Sequence, residues 1–419
     1  MPGDRALLLY SPGIEYIAAF LGCLRVGVIA VPIYPPQSRR ALPRLKKVAE
    51  DASPAVALTD SGILKRIRNY REKPEFLDRL KMIVTDEINE VSFSDVTKSL
   101  DIGPDWIAFL QYTSGSTGSP KGVMLTHQNL LSNQEMIRNA FGHDQSTIVC
   151  SWLPPYHDMG LIGTILQPLY LGVPCILMPP VAFMQKPFRW LQMISKYNVT
   201  TSGAPNFAYD LCVDKIKEEE SSDLDLSSWN LAFNGAEPVR AQTLDRFADR
   251  FFSIGFRKKA FYPCYGLAEA TLIVSGGKQA VLPTVVQFDK KSLEEAEVRF
   301  GGMDESNVEY LVGCGHAINQ DIAIVNPETM VSSPKDHIGE IWVSGDNIAK
   351  GYWENPEETD QVLNAQLNFE GEKQWLRTGD LGFIFDTELF VVGRLKDLII
   401  IRGRNFHPGD IEHTAQQAH

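Results

Sequence analysis

The sequence predicts an α/β fold, with helix-covered and mostly parallel sheets followed by a β-rich subdomain, on three observations. Residues 5 to 270 alternate short β-branched or apolar runs with amphipathic stretches, and strand and helix taking turns implies parallel strands covered by crossover helices. After about residue 281 short strands are punctuated by Gly, Asn and Asp, as in antiparallel β structure. With 419 residues and 44% hydrophobic content the chain exceeds the usual single domain and supports a large core.

In order, a strand is expected at 6–10, a helix at 15–26 and a strand at 28–31. A strand at 55–58 precedes a basic helix, and an apolar strand from Phe109 runs to Tyr112, with another at 122–125. Further pairs are 147–152 before a helix at 158–171, 175–178 before 188–197, and 230–234 before 241–251. Beyond these lie strands at 322–325, 340–343, 383–385 and 389–392. The expected partition is 1–280 α/β, 281–393 β-rich, and a final segment 394–419.

A net charge of −12 disfavours nucleic acid as the main partner, since phosphate backbones are bound by clustered Lys and Arg. The local basic clusters (Arg39, Arg40, Arg44, Lys46 and Lys47, then Lys65, Arg66, Arg68 and Arg71) suit solvated helix faces, although an acidic carrier protein can dock there. Six scattered cysteines without a CxxC pair fit free thiols in a reducing cytoplasm. The opening residues do not read as a secretory signal. Residues 159 to 185 carry no charge, but Pro168, Pro174, Pro179 and Pro180 argue for helix, turn and buried strand rather than a membrane span.

The stretch 112–122, YTSGSTGSPKG, reads as a phosphate cradle. Gly115 and Gly118 let backbone N–H groups crowd an anion, Thr113, Ser114, Ser116 and Thr117 add hydroxyl donors, and Lys121 adds a point charge. A Walker loop reads GxxxxGK[ST] and opens a helix; here Pro120 precedes the lysine and a strand follows, which argues against a kinase or motor ATPase. A Ser/Gly-rich linker has similar composition, but linkers rarely sit between two apolar runs.

Tyr265, Gly266 and Glu269 sit at an expected strand-to-helix junction. The ring can stack on adenine and the carboxylate can hold Mg²⁺; core packing and a helix-dipole partner are the plainer alternatives. Asn234, Gly235 and Ala236 close another expected strand, as an adenine-edge reader or simply a turn. Asp380, in Thr378-Gly379-Asp380 between Trp375 and the strand at 383–385, can accept both ribose hydroxyls. The fixed fork of Arg394 suits an oxyanion.

YTSGSTGSPKG, YGLAEA (265–270), TGD (378–380) and GRLKDLIIIRGRN (393–405), in this order and at these distances, resemble the adenylate-forming acyl ligases, which include acyl-CoA synthetases and peptide-synthetase adenylation domains. The likeness spans nearly the whole chain. SWLPPYHDMGLIG (151–163), NGAEP (234–238) and RNFHPGDIE (404–412) resemble the fatty acyl-AMP ligases in particular, as does an apparent insertion at about 276–310. The resemblance implies a large adenylate-forming N-terminal domain, with the opening segment missing and the C-terminal lid largely absent.

It further implies ATP-dependent activation of a long-chain fatty acid to acyl-AMP, with Mg²⁺, for an acyl carrier protein or polyketide synthase carrier domain. A long-chain acyl-CoA synthetase and an inactive truncated binding module are the alternatives. An amino-acid adenylation domain would need a carboxylate for the substrate ammonium, for which Asp158 is the nearby candidate. Implied catalytic residues are Lys121, Thr113, His157, Glu269 and Arg394, with Glu269 on the metal. His157 is expected to position the substrate, because a carboxylate is already ionised at pH 7 and needs no base. The stretch 159–183 is expected to wall the acyl tunnel, to form a core helix and strand, or both. Lys396 matches the family's hinge. A chain without the lid and its lysine is expected to bind ATP and acyl-AMP but adenylate slowly or not at all.

Overall fold

Two seven-stranded sheets and one five-stranded sheet organise the molecule. The computed structural model describes residues 1–35, 42–69, 76–77, 80–88, 100–113, 120–302, 307–368, 371, 373–401 and 404–406. In the first sheet Arg5–Leu9, Ile29–Pro32, Val56–Thr59, Met82–Val84 and Ile107–Thr113 run parallel. Lys121–Thr126 folds back antiparallel on Ile107–Thr113. Alternation along these strands feeds two cores: Leu7 and Leu9 pack with Leu45, Val48 and Ile63, while Ala6 and Leu8 join the larger cluster with Phe20 and Phe109. That is why the strands read as continuous apolar runs.

In the second sheet Cys175–Leu177, Val149–Ser151, Thr201–Ala204, Leu231–Asn234 and Phe261–Gly266 run parallel. The helices Phe188–Tyr197 and Ala241–Phe251 help cover it, burying Trp190 and Phe247. Two of the buried indoles are held by one residue: Trp190 donates to the Ser202 hydroxyl at 2.8 Å and Trp229 to the Ser202 carbonyl at 3.0 Å. Cys175–Leu177 is a half-exposed edge strand rather than the buried one expected.

The helix expected at 158–171 forms in three pieces, Asp158–Leu161, the π-helical turn Ile162–Leu166, and Gln167–Leu171. Pro168 has no N–H to return to the Thr164 carbonyl, which instead accepts the Cys175 thiol at 3.2 Å. Among the described residues no helix is long and apolar enough to cross a membrane.

The five-stranded sheet is wholly antiparallel, in the order Val331–Ser332, Asp321–Asn326, Gly339–Ser344, Leu376–Phe385, Glu388–Arg394. The strand expected at 383–385 is thus the end of a ten-residue strand, and Thr378-Gly379-Asp380 lies inside it rather than before it. Two short strands beyond residue 281 return to the first two sheets: His316–Ala317 pairs with Ile273–Gly276, and Gly351–Tyr352 pairs with Lys121–Thr126. In the apparent insertion, Val285–Asp289 pairs with Val308–Val312, and buried Phe288 packs on Phe383, Phe385 and Phe390.

Candidate active site

The carboxyl ends of parallel strands in both large sheets open on one cavity of about 970 Å³, where open α/β sheets place their ligands. Ile107–Thr113 delivers Gln111 and Thr113, Leu231–Asn234 delivers Gly235 and Ala236, and Phe261–Gly266 delivers Tyr265, Gly266 and Glu269. His157 and Asp158 arrive on the loop after Val149–Ser151, and the antiparallel sheet adds Thr378, Asp380 and Arg394. A Cβ at Gly266 would meet the Leu272 carbonyl at 1.9 Å, so the close approach of the strand to residues 272–273 needs glycine there.

One wall is fully hydrogen-bonded. Asp380 accepts the Tyr265 hydroxyl at 2.7 Å and the Arg394 Nε–H at 3.0 Å. Burial raises the Asp380 carboxyl above its usual range, against the opposing pull of Tyr265 and Arg394. Its position is set by a network that sequence reading missed. Buried Glu340 accepts two N–H groups of Arg377 at 3.1 and 2.9 Å, the Trp342 indole at 2.9 Å and the Gly379 amide at 3.1 Å. The Thr378 hydroxyl donates to the Ile341 carbonyl at 2.7 Å, and Gly379 takes φ +70°. The only sequence signal was a glutamate inside the apolar run 340–343.

The other wall has few partners. Glu269 accepts the Tyr352 hydroxyl at 3.0 Å. Burial raises its carboxyl, opposed by its own amide and by Tyr352 and reinforced by Asp158 and Asp380. The Lys121 ammonium pairs with Glu358 and lies 5.4 Å from the centroid of the Tyr352 ring. Lys121 and Glu269 therefore meet through one tyrosine, which sequence reading also missed. Thr113 pairs with Lys121 across the hairpin. Ser114, Gly115, Ser116, Thr117 and Gly118 lie outside the described residues.

The donor set fits magnesium. Among the described residues no three acidic, His or Cys side chains cluster as a metal cage, but Mg²⁺ takes one or two carboxylates and draws its other ligands from phosphate and water. Glu269, whose carboxyl burial and nearby acids push up, has the single-carboxylate geometry such an ion relieves.

His157 Nδ1 stands 2.6 Å from Asp158 Oδ1. The Asp158 charge raises His157 above its usual value against burial. Burial opposes the Asp158 charge, yet His157 and the Met159 amide outweigh it and hold the carboxyl low. Asn234 departs from expectation: its side chain is fully buried and donates to Asn206 at 3.3 Å, leaving Gly235 and Ala236 on the cavity.

The cavity lining also includes the apolar side chains Ile137, Phe141, Met159, Phe233, Leu272 and Ile273, together with Gly163. Of the stretch 159–183 only Met159 and Gly163 line it; Phe183 stacks on Trp152 at 3.8 Å, fully buried in the core.

Residues 1–353 match the profile of the AMP-binding enzymes. The medium-chain fatty acid–acyl carrier protein ligase JamA of Moorena producens (strain JHB) is 46% identical over 423 residues, covering 99% of this chain and 71% of that relative. The long-chain fatty acid–AMP ligase FadD26 of Mycobacterium marinum is 38% identical over 426 residues, 100% of this chain and 73% of the relative. The crystal structure of a fatty acyl-adenylate ligase from L. pneumophila, in complex with acyl adenylate and pyrophosphate, superposes with a TM-score of 0.89 at 46% identity, covering 94% of this chain and 68% of that one. With these matches and this cavity, the chain belongs to the AMP-binding enzymes and, within them, to the fatty acyl-AMP ligases.

Proposed function

We propose that this chain uses ATP to convert a fatty acid to its acyl-AMP, releasing pyrophosphate, for transfer to an acyl carrier protein. The observation that carries the reading is one cavity lined both by apolar side chains, among them Ile137, Phe141, Phe233 and Leu272, and by His157, Glu269, Lys121, Asp380 and Arg394. One oxygen of the fatty carboxylate attacks the α-phosphorus, the bond from phosphorus to the bridging oxygen breaks, and pyrophosphate departs with the electron pair.

Each side chain has a defined task. Asp380 accepts the ribose hydroxyls, Arg394 clamps the nucleotide, the Tyr265 ring stacks on adenine, and the backbone at Gly235 and Ala236 meets its edge. Asp158 takes the Nδ1–H of His157, leaving Nε2 to position the fatty carboxylate. Thr113, Lys121 and the loop between them receive the leaving pyrophosphate, because donors placed where charge develops stabilise the transition state. Glu269 would hold a magnesium ion, which would supply further charge neutralisation. Lys396, on the cavity rim, serves as the hinge toward 397–419.

All six cysteines are free thiols, which supports work in the cytoplasm. The relatives' names span medium- and long-chain acids; the apolar lining sets which this chain takes, at about 0.8 kcal/mol per buried CH₂.

The test is to incubate the protein, at high concentration and over hours because it is expected to adenylate slowly, with ATP, Mg²⁺ and saturated acids of increasing length, then follow acyl-AMP by mass spectrometry with either CoA or an acyl carrier protein present. Acyl-AMP that persists with CoA and passes to the carrier supports the reading. Rapid acyl-CoA formation would make the chain an acyl-CoA synthetase instead.

A further inference from the structure

Lys121, the cation expected to follow the pyrophosphate, has a carboxylate partner of its own. Its ammonium pairs with the Glu358 carboxylate, both side chains lie on the cavity, and they are only 14% and 26% exposed. The pairing is built in by the backbone. Gly351–Tyr352 pairs with Lys121–Thr126, and the Trp353 amide donates to the Gly122 carbonyl at 2.7 Å.

Asn355 then caps the helix Pro356–Val362 and fixes the acid. Its Oδ1 accepts the Glu358 amide at 3.3 Å and its Nδ2 donates to Glu358 Oε2 at 2.9 Å, leaving Oε1 for the lysine. The Tyr352 side chain lies between the pair and Glu269.

A triphosphate carries several negative charges against one on Glu358, and lysine is a compact charge on a flexible stem that can swing between partners. Building on the proposed reaction, we infer that Glu358 is a positioning residue. It keeps Lys121 at the phosphate wall between turnovers, yields it to the arriving triphosphate, and takes it back as pyrophosphate leaves. Glu358 thereby weakens the grip on both MgATP and pyrophosphate and opens the way for product release. It acts only through Lys121 and has no bearing on the nucleoside half of the ligand.

The test is calorimetric titration of the 419-residue protein with MgATP, magnesium pyrophosphate and AMP, using wild type, Glu358→Gln, Glu358→Ala, Lys121→Ala and the double variant Lys121→Ala/Glu358→Gln. Thermal melts confirm that each variant is folded. Both Glu358 variants should bind MgATP and pyrophosphate about tenfold more tightly, equivalent to about 1.4 kcal/mol, with AMP unchanged. In the Lys121→Ala background the Glu358→Gln effect should vanish, as the double-mutant cycle isolates the pair. Unchanged or weaker pyrophosphate binding in folded Glu358→Gln would overturn the inference. Tightening that persists without Lys121 would also overturn it, by showing plain repulsion between Glu358 and phosphate. A wild type that binds neither MgATP nor pyrophosphate would sink the proposed reaction itself.

Discussion

Asp380 is held by Tyr265 and Arg394 on a strand tied down by Glu340, whereas Glu269 has a single hydroxyl partner and Lys121 is lent to Glu358. The difference separates two ways of making a binding wall. The Asp380 side is complete before any ligand arrives, so its carboxylate is aimed at no cost at the moment of binding. Burial raises both carboxyls, but Glu269 has one hydroxyl partner and its neighbouring lysine is paired elsewhere, so in the proposed reaction this side is completed by what the nucleotide brings. In the proposed reaction, specificity for the nucleoside would then reside in the protein, and reactivity at the phosphates in the assembled complex.

The largest effect expected from breaking this contrast is at Glu269. Glu269→Gln should lower the rate of acyl-AMP formation by about 10²–10³-fold, yet stabilise the ligand-free protein. The sign follows from burial: a carboxyl whose folded-state pKa is raised costs nothing below its unfolded value near 4.5 and costs most above the folded one. The melting temperatures of variant and wild type should thus separate as pH rises from 4.5 toward 8. Equal melting curves across that range would remove the idea of a wall awaiting its cation.

On the completed side, Asp380→Ala should weaken AMP binding by about 2 kcal/mol, roughly thirtyfold, in a titration without metal. A loss seen only with MgATP would place Asp380 on the phosphates. In the apolar lining, a Cβ on Gly163 would meet the Leu272 side chain at 3.1 Å. Gly163→Val should therefore shorten the preferred acid, at about fourfold in kcat/KM per methylene excluded; an unchanged chain-length profile would move the acyl chain elsewhere.

The smallest effect concerns His157. Asp158 raises its pKa, so the imidazolium stabilises the fold fully below about pH 6.5 and loses that contribution as pH rises through the raised value. His157→Asn should show its largest melting deficit near pH 6 and its smallest near pH 9. With the His157 side chain 58% exposed, a deficit that grows with pH would reverse the assignment.

The elements that the sequence announces best are those with a strong local period. The helices Phe188–Tyr197 and Ala241–Phe251 fall where amphipathic spacing puts them. Thr378-Gly379-Asp380 was misread as a lead-in because a glycine at positive φ and a register shift at Leu381/Gly382 hide a continuous strand. In the site, Tyr265, Glu269, Asp380 and Arg394 were legible because each follows or sits in a short motif. Glu340 with Arg377, and Tyr352 with Glu358, were not. Their meaning comes from partners 37, 83 and 237 residues away, which no local pattern encodes. Asn234 ends the strand that its motif marks, and its buried side chain turns to Asn206.

The most direct test is a crystal structure of this protein with a non-hydrolysable mimic of a twelve-carbon acyl-adenylate. The account predicts the ribose hydroxyls on Asp380, the adenine against Tyr265, the α-phosphate mimic near Glu269, and the alkyl chain running between Phe141, Phe233 and Leu272. A ribose away from Asp380, or an alkyl chain leaving the cavity by another route, would contradict it.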